Sequence, residues 1–532
     1  MKTKTLTITM CTALIAAVSS CGGGEGEAMT EGGDYSELYT EDMVYMEEAT
    51  ESDDGYYETD SQLIVMEEMH TEEYAYLPEN DFMSPGANPL STFSIDVDNA
   101  SYTNSRRMIE DGYLPEVDAV RSEEFINYFD YAYKLPSKEE VFSVNTEIGE
   151  CPWNDEAKLL HVGLKGYTIP TEDLPPSNLV FLLDISGSMN DANKLPLLKN
   201  SFKTLVDQLT EEDRVSIVTY AGEDRVVLES TSCENKAEIK AAIDNLEAGG
   251  STNGEGGINK AYDIAVENLL AEGNNRVILA TDGDFNIGQS SDGALTRMIE
   301  EKREEGVFLT ILGYGMGNYK DSKMESLADH GNGNYFYIDD MRESNRVLVT
   351  NLAGTLHAIA KDVKIQVEFN PELVKEYRLI GYENRLMADQ DFADDKKDAG
   401  ELGAGHTVTA IYEIIEGKAD KSDLKYQKSS SKKSKEMVTI SLRYKKPKGT
   451  KSKLVQVPVI DEGLSWNENS RAFKFSAAVA GFSMILRESK YINDFSFDDV
   501  MDLAKPNVTI DELDKVEFLR LVENAKVLGT QS

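Results

Sequence analysis

Basic residues are scarce in this 532-residue chain: 53 Lys and Arg stand against 96 Asp and Glu, for a formal net charge of −43. That deficit argues against non-specific nucleic-acid binding, which needs cations to neutralise phosphates. Histidine is scarcer, with only His70, His161, His330, His357 and His406, and none forms an H-E-x-x-H pair. There is no G-x-x-x-x-G-K-[ST] phosphate loop and no G-x-S-x-G nucleophile elbow, so neither common nucleotide nor serine-hydrolase chemistry is indicated, although a Ser-His-Asp triad need not be local in sequence. No stretch reaches 18 uninterrupted apolar residues, the length that would suggest a permanent membrane-spanning helix.

Cysteine is limited to four positions. Cys11 and Cys21 belong to an N-terminal segment with a basic start (Lys2, Lys4), a short apolar run (Met10 to Val18), small residues Ser19 and Ser20, and then Gly22-Gly23-Gly24 after Cys21. This resembles a bacterial lipoprotein signal, with Val18-Ser19-Ser20-Cys21 as the lipobox; an ordinary secretory peptide is the alternative. The resemblance implies cleavage before Cys21 and acylation of its thiol, hence a membrane anchor. Gly22 in place of an inner-membrane retention Asp favours the outer membrane if the source is Gram-negative. Cys151 and Cys233 are expected to be two buried thiols, with a disulfide between them as the alternative.

From Cys21 to Asn80 there are 19 Asp and Glu and no Lys or Arg. That composition predicts an acidic, disordered, self-repelling linker. Five segments follow: a signal at 1–20, the linker at 21–81, helices then strands at 82–175, an α/β unit at 176–345, and a β-rich then helical segment at 346–530. Order is expected to begin near Phe82. In the α/β unit, Leu179 to Leu183 is a continuous apolar run suited to a strand buried on both faces. Strand and helix patterns then alternate, predicting a Rossmann-like, mostly parallel sheet with helices on both faces. Period-two strands flank it on both sides, around Phe142–Ile148 and Leu160–Leu164 before it and Val363–Phe369, Val408–Ile414, Met437–Tyr444 and Lys453–Val459 after it. Each set is short for a sandwich of its own, so the two are expected to pair, making the α/β unit an insertion. A helix is expected to run to Ala360. Lys428–Lys435 reads as a solvated loop, Thr509–Glu512 as a capping box before the last helix, Arg378 and Arg385 as structural ion-pair residues, and His406 as a turn residue before a strand.

Chemistry concentrates where the first buried strand ends. Asp184, Ser186 and Ser188 form D-x-S-x-S, which turns one carboxylate and two hydroxyls toward a common point. These are hard ligands suited to Mg2+ or Ca2+. Two further strand-end loops offer Thr252, in Gly249-Gly250-Ser251-Thr252-Asn253, and Asp282, in Thr281-Asp282-Gly283. Asp184-Ile185-Ser186-Gly187 is not an aspartic-protease motif, which has no intervening residue, and no second copy exists.

Together the D-x-S-x-S motif, the later Thr and T-D-G resemble the metal-ion-dependent adhesion site (MIDAS) of the von Willebrand factor type A (VWA) domain. The resemblance implies direct coordination of Mg2+, Ca2+ or Mn2+ by Ser186, Ser188 and Thr252, with Asp184 or Asp282 acting partly through water. An open coordination place would then take an Asp or Glu of a protein partner. Ser91–Tyr133, with Arg106-Arg107 and Phe125-Ile126-Asn127-Tyr128-Phe129-Asp130, and Asp362–Ile414, with Tyr377 to Arg385 and Asp394 to Gly400, resemble the YfbK-like bacterial family. The expectation is therefore a lipid-anchored, metal-dependent binding module and not an enzyme. A metal-dependent hydrolase and a structural scaffold are the alternatives.

Overall fold

The computed structural model describes residues 72–96, 98–170, 173–252, 254–283, 285, 292–317, 319–420 and 434–530. The expected signal with Cys21, most of the expected linker, and most of the Lys428–Lys435 run lie outside the described residues. Among the described residues, no helix is long and apolar enough to cross a membrane.

The described chain opens with strand β1 (Leu90–Ser94), helices α1 (Ala100–Glu110) and α2 (Ser122–Asn127), and a long antiparallel pair, β2 (Phe142–Glu150) and β3 (Ala157–Gly166). The α/β unit follows as β4 (Ser177–Asp184), α3 (Leu195–Gln208), β5 (Arg214–Tyr220), β6 (Asp224–Ser232), α4 (Lys236–Asp244), α5 (Gly254–Glu267), β7 (Asn274–Thr281), α6 (Asp292–Glu304), β8 (Phe308–Tyr314), α7 (Asp321–His330) and β9 (Tyr335–Ile338). Short helices α8 (Met341–Asn345) and α9 (Leu352–Leu356) lead to β10 (Ala358–Phe369), β11 (Val374–Ile380), β12 (Leu402–Gly403), β13 (Thr407–Glu416), β14 (Val438–Lys445) and β15 (Lys453–Val459). Helices α10 (Arg471–Leu486), α11 (Phe497–Ala504) and α12 (Leu513–Gly529) close it.

The central sheet runs β6-β5-β4-β7-β8-β9, parallel throughout except for β6. Because successive side chains of a strand face opposite ways, β4 sends Leu179, Phe181 and Leu183 toward α3 and α4, and Val180 and Leu182 toward α5, α6 and α7. The chain leaves β4 for β5 on one side and later returns to β7 on the other. This makes the carboxyl end of β4 the topological switch point, where such sheets form their ligand crevice.

The flanking strands form two antiparallel sheets, β1-β10-β14-β15 with β12 beside β10, and β11-β13-β3-β2. Strand β3 pairs with β13 from Ala157↔Ile415 to Lys165↔Thr407, and β1 pairs with β10. Strands from before and after the α/β unit thus lie side by side, and the unit is an insertion in one β-domain. Phe93, Val162, Ile365, Tyr412 and Ile440 share the core between the two sheets. The other face of β3 and β13 is covered by the closing helices, where Leu159 and Ile411 join Phe475, Phe482 and Phe518. Phe475 and Phe482 meet Phe518 edge to face at 5.5 and 5.3 Å, a favoured aromatic geometry.

Some local expectations change and others hold. The helix expected to reach Ala360 ends at Leu356, because Ala358 and Ala360 pair with β12 instead. Thr509 N and Oγ1 both donate to Glu512 at 2.8 Å, but α12 starts only at Leu513 and has Glu512 itself as its N-cap. Cys151 and Cys233 are free and buried in different cores, and burial pushes the Cys233 thiol up to about 12. Order begins before Phe82. Glu72 pairs with Arg107 at 2.9 Å, Glu73 N donates to Tyr319 O at 3.0 Å, and Asn80 Nδ2 donates to Leu379 O and Gly381 O. The last acidic residues of the linker segment therefore find fixed partners that the composition could not reveal. Arg378 is held by Glu413 at 2.6 Å and Arg385 by Glu325 at 2.7 Å, in keeping with structural ion pairs.

His161 on β3 is buried between Tyr133 Oη (2.6 Å from Nε2) and Ser476 Oγ (2.9 Å from Nδ1). Burial lowers its pKa to about 4. The folded value lies below that of the unfolded chain, so the stability His161 contributes is fully present above about pH 6.5 and is lost as pH falls toward 4. Over that window the loss amounts to about 3 kcal/mol. Urea unfolding at stepped pH is expected to show the stability gap between the wild type and His161→Gln narrowing from pH 7 to pH 4; a constant gap would contradict this assignment.

Candidate metal centre

Asp184 closes β4 and is fully buried. Its carboxylate is fixed from two sides: Ser186 N donates to Oδ1 at 2.8 Å, and Thr281 Oγ1, at the end of β7, lies 3.4 Å from Oδ2. Ser186 is buried and Ser188 exposed, and their hydroxyl oxygens are 3.1 Å apart. The two hydroxyls of D-x-S-x-S are therefore brought into contact with one another.

The loop carrying Thr252 is tied to this one through the backbone. Gly249 N donates to Ile185 O at 2.8 Å, and Gly187 N to Gly250 O at 3.0 Å. Gly250 has φ +86°, and a Cβ there would meet Gly222 N at 3.2 Å, so glycine is suited to this crossing on both counts. Thr252, two residues on, is half-buried beside α5.

Asp282 follows β7 and is buried. Its Oδ2 accepts from Lys194 Nζ at 3.1 Å, and its Oδ1 is buried with no hydrogen-bond partner among the described residues. Burial pushes the Asp184 carboxyl up to about 6, Asp282 adding to the effect and the hydrogen bonds from Ser186 opposing it. Two buried carboxylates near one another, one with an orphaned oxygen, form an electrostatic deficit that a hard cation fits. Among the described residues, no group of three or more His, Cys, Asp or Glu side chains has a metal-binding arrangement. A cation here would draw on two carboxylates and neighbouring hydroxyls.

Lys194 is the residue that sequence reasoning missed. It stands at the N-cap of α3, where the helix dipole disfavours a positive charge. A lysine just before a helix, six residues after D-x-S-x-S, is the available signal. The loop after β8 lies alongside: Tyr319 packs against Gly283, and Glu72 Oε1 accepts from Gly317 N at 3.2 Å.

A six-stranded α/β sheet bearing D-x-S-x-S at its switch point, a linked Thr loop and T-D-G defines a VWA protein, and the von Willebrand factor type A domain model matches residues 178–350. Such domains commonly serve in protein interaction and metal-dependent adhesion. Residues 354–528 match the model described as "Uncharacterized protein YfbK, C-terminal", and residues 68–161 the one described as "von Willebrand factor". The chain belongs to the YfbK family: it is 42% identical over 469 residues to the uncharacterized protein YfbK of Escherichia coli K12, covering 86% of this chain and 81% of that one. It is also 29% identical over 170 residues to human inter-alpha-trypsin inhibitor heavy chain H2, which covers 29% of this chain and only 17% of the human one. Among solved structures, a von Willebrand factor type A protein from Catenulispora acidiphila is 18% identical with a TM-score of 0.41, covering 74% of this chain and 91% of that one. Proximal thread matrix protein 1 from the mussel byssus, solved with a zinc-occupied MIDAS motif, is 26% identical with a TM-score of 0.28, covering 33% of this chain and 44% of that one.

Proposed function

We propose that this protein is a binding module of the cell envelope in which Asp184, Ser186, Ser188, Thr252 and Asp282 hold a divalent cation that captures a carboxylate of a protein partner. The buried, unpartnered Oδ1 of Asp282, close to buried Asp184, is the observation that carries the reading. Mg2+, Ca2+ and Mn2+ all suit these oxygen donors. When bound, the ion offers an attachment point for an anionic oxygen. The chain's own residues supply the rest: Asp184 and Asp282 provide charge, Ser186, Ser188 and Thr252 provide neutral donors, and exposed Ser188 marks the side open to a partner. Binding is favoured over turnover because the side chains placed at the centre are two carboxylates, hydroxyls and a lysine already paired with Asp282, and two of the histidines have partners of their own elsewhere. His161 is held by Tyr133 and Ser476, and His330 by Ser326 O at 2.7 Å.

In the same proposal, Cys21 carries the lipid, the acidic segment after it spaces the folded part from the membrane, and the anchor lies in the outer membrane. Replacing Cys21 with Ala is expected to move the protein from the membrane to the soluble envelope fraction. For the binding role, the test is crosslinking in intact cells and recovery from envelope extract with Mg2+ or with chelator. A partner retained with Mg2+, and lost with chelator and in Asp184→Ala, is expected. Retention indifferent to both would overturn the proposal.

A further inference from the structure

We infer that Lys194 is a positioning and specificity residue of this centre: it withholds one oxygen of Asp282 from the cation and leaves the loaded site with a net positive charge that selects an anionic partner group. The inference rests on the metal-site reading above and extends it to a residue outside the five-residue motif set.

Three observations converge on Lys194. Its ammonium donates to Asp282 Oδ2 at 3.1 Å, while Oδ1 of the same carboxylate is buried without a partner among the described residues. One oxygen is thus occupied and the other left for an ion or an ion-bound water. The side chain also has a built seat. Gly315 has φ +73°, and a Cβ there would fall 2.4 Å from Lys194 Cε, so the lysine stem fills the space glycine leaves. Finally, Lys194 is buried at the N-cap of α3, where the helix end already carries partial positive charge. A lysine there is costly unless a carboxylate compensates, and Asp282 does so.

The charge count gives the consequence. Asp184 and Asp282 together neutralise a divalent cation, and Lys194 adds one positive charge. A partner carboxylate brings the assembly to neutrality, whereas a neutral oxygen leaves a buried excess charge, which is unfavourable in a low-dielectric site. Without Lys194, the cation should bind at least as tightly, but the loaded site should lose its preference for anions.

The test uses the intact protein, Mn2+ as the ion and acetate as the carboxylate, read by water-proton relaxation. Lys194→Met keeps an apolar stem against Gly315. Lys194→Gln can still donate to Asp282 but carries no charge. Both are expected to bind Mn2+ as tightly as the wild type or more tightly, and to need about tenfold more acetate to displace metal-bound water. In chelator both should melt at lower temperature than the wild type, since Asp282 loses its buried cation. Acetate affinity unchanged in Lys194→Gln, or Mn2+ affinity lowered in both variants, would overturn the inference. If the wild type itself bound no Mn2+, the metal-site reading would fail first, and the two failures are therefore distinguishable.

Discussion

Replacing Asp184 with Ala is expected to weaken Mg2+ binding about 100-fold or more while leaving the protein folded in chelator. The size of the effect follows from its place. Asp184 supplies one of the centre's two negative charges, is fully buried, and is oriented by Ser186 N and Thr281. Little solvent can replace it. The effect on the metal-free fold should be small, because burial and Asp282 already push this carboxyl up to about 6. Removing it relieves repulsion with Asp282 and deletes no ion pair. Calorimetric titration with Mg2+, alongside melting in chelator, separates the two effects. Undiminished Mg2+ affinity would show that the ion binds elsewhere; collapse of the fold in chelator would show a mainly structural role for Asp184.

The second large effect lies far from the metal centre. Replacing Arg106 with Leu is expected to cost about 3–5 kcal/mol, because it leaves buried Asp339 without its cation and takes one of two cations from Glu343 and from Glu517, which keep Arg346 and Arg342. Arg106 on α1 meets Asp339 after β9 at 2.6 Å, Glu343 on α8 at 3.2 Å and Glu517 on α12 at 2.8 Å, and also donates to Tyr128 Oη. It therefore ties the N-terminal segment, the end of the inserted unit and the last helix together. Burial raises Asp339 to about 6 even with Arg106 beside it, so without the guanidinium its ionised form is more costly still. Urea unfolding at neutral pH should give a lower midpoint, and limited proteolysis should release α12 early. A cost below about 1 kcal/mol would mean that the carboxylates are neutralised without Arg106, in the range of an exposed pair.

The parts of the molecule legible in the sequence are those fixed by local pattern. Leu179 to Leu183 could hardly be anything but a buried strand, and D-x-S-x-S at its end placed Asp184, Ser186 and Ser188 in one turn. Alternation of strands with helices put Asp184 at the carboxyl end of a parallel strand, but the spatial order β6-β5-β4-β7-β8-β9 that makes this end the switch point was not readable from it. Pairing of the flanking strands was inferable because neither set could bury its apolar face alone, although the register of β3 on β13 was not. What remained hidden depends on side chains distant in sequence. Lys194 and Asp282 are 88 positions apart, and Arg106 and Glu517 are 411 apart; no periodicity connects such pairs. Glu72 and Glu79 looked like more of the acidic linker, because their partners Arg107, Arg378 and Ser489 are supplied only by the folded domain.

The most direct measurement is the position of the ion itself. Crystals of the protein grown or soaked with Mn2+ should give one anomalous-difference peak at the carboxyl end of β4, among Asp184, Ser186, Ser188, Thr252 and Asp282, that disappears in Asp184→Ala crystals. A peak at another place, or none at saturating Mn2+, would contradict the assignment of this crevice as a metal-dependent binding site.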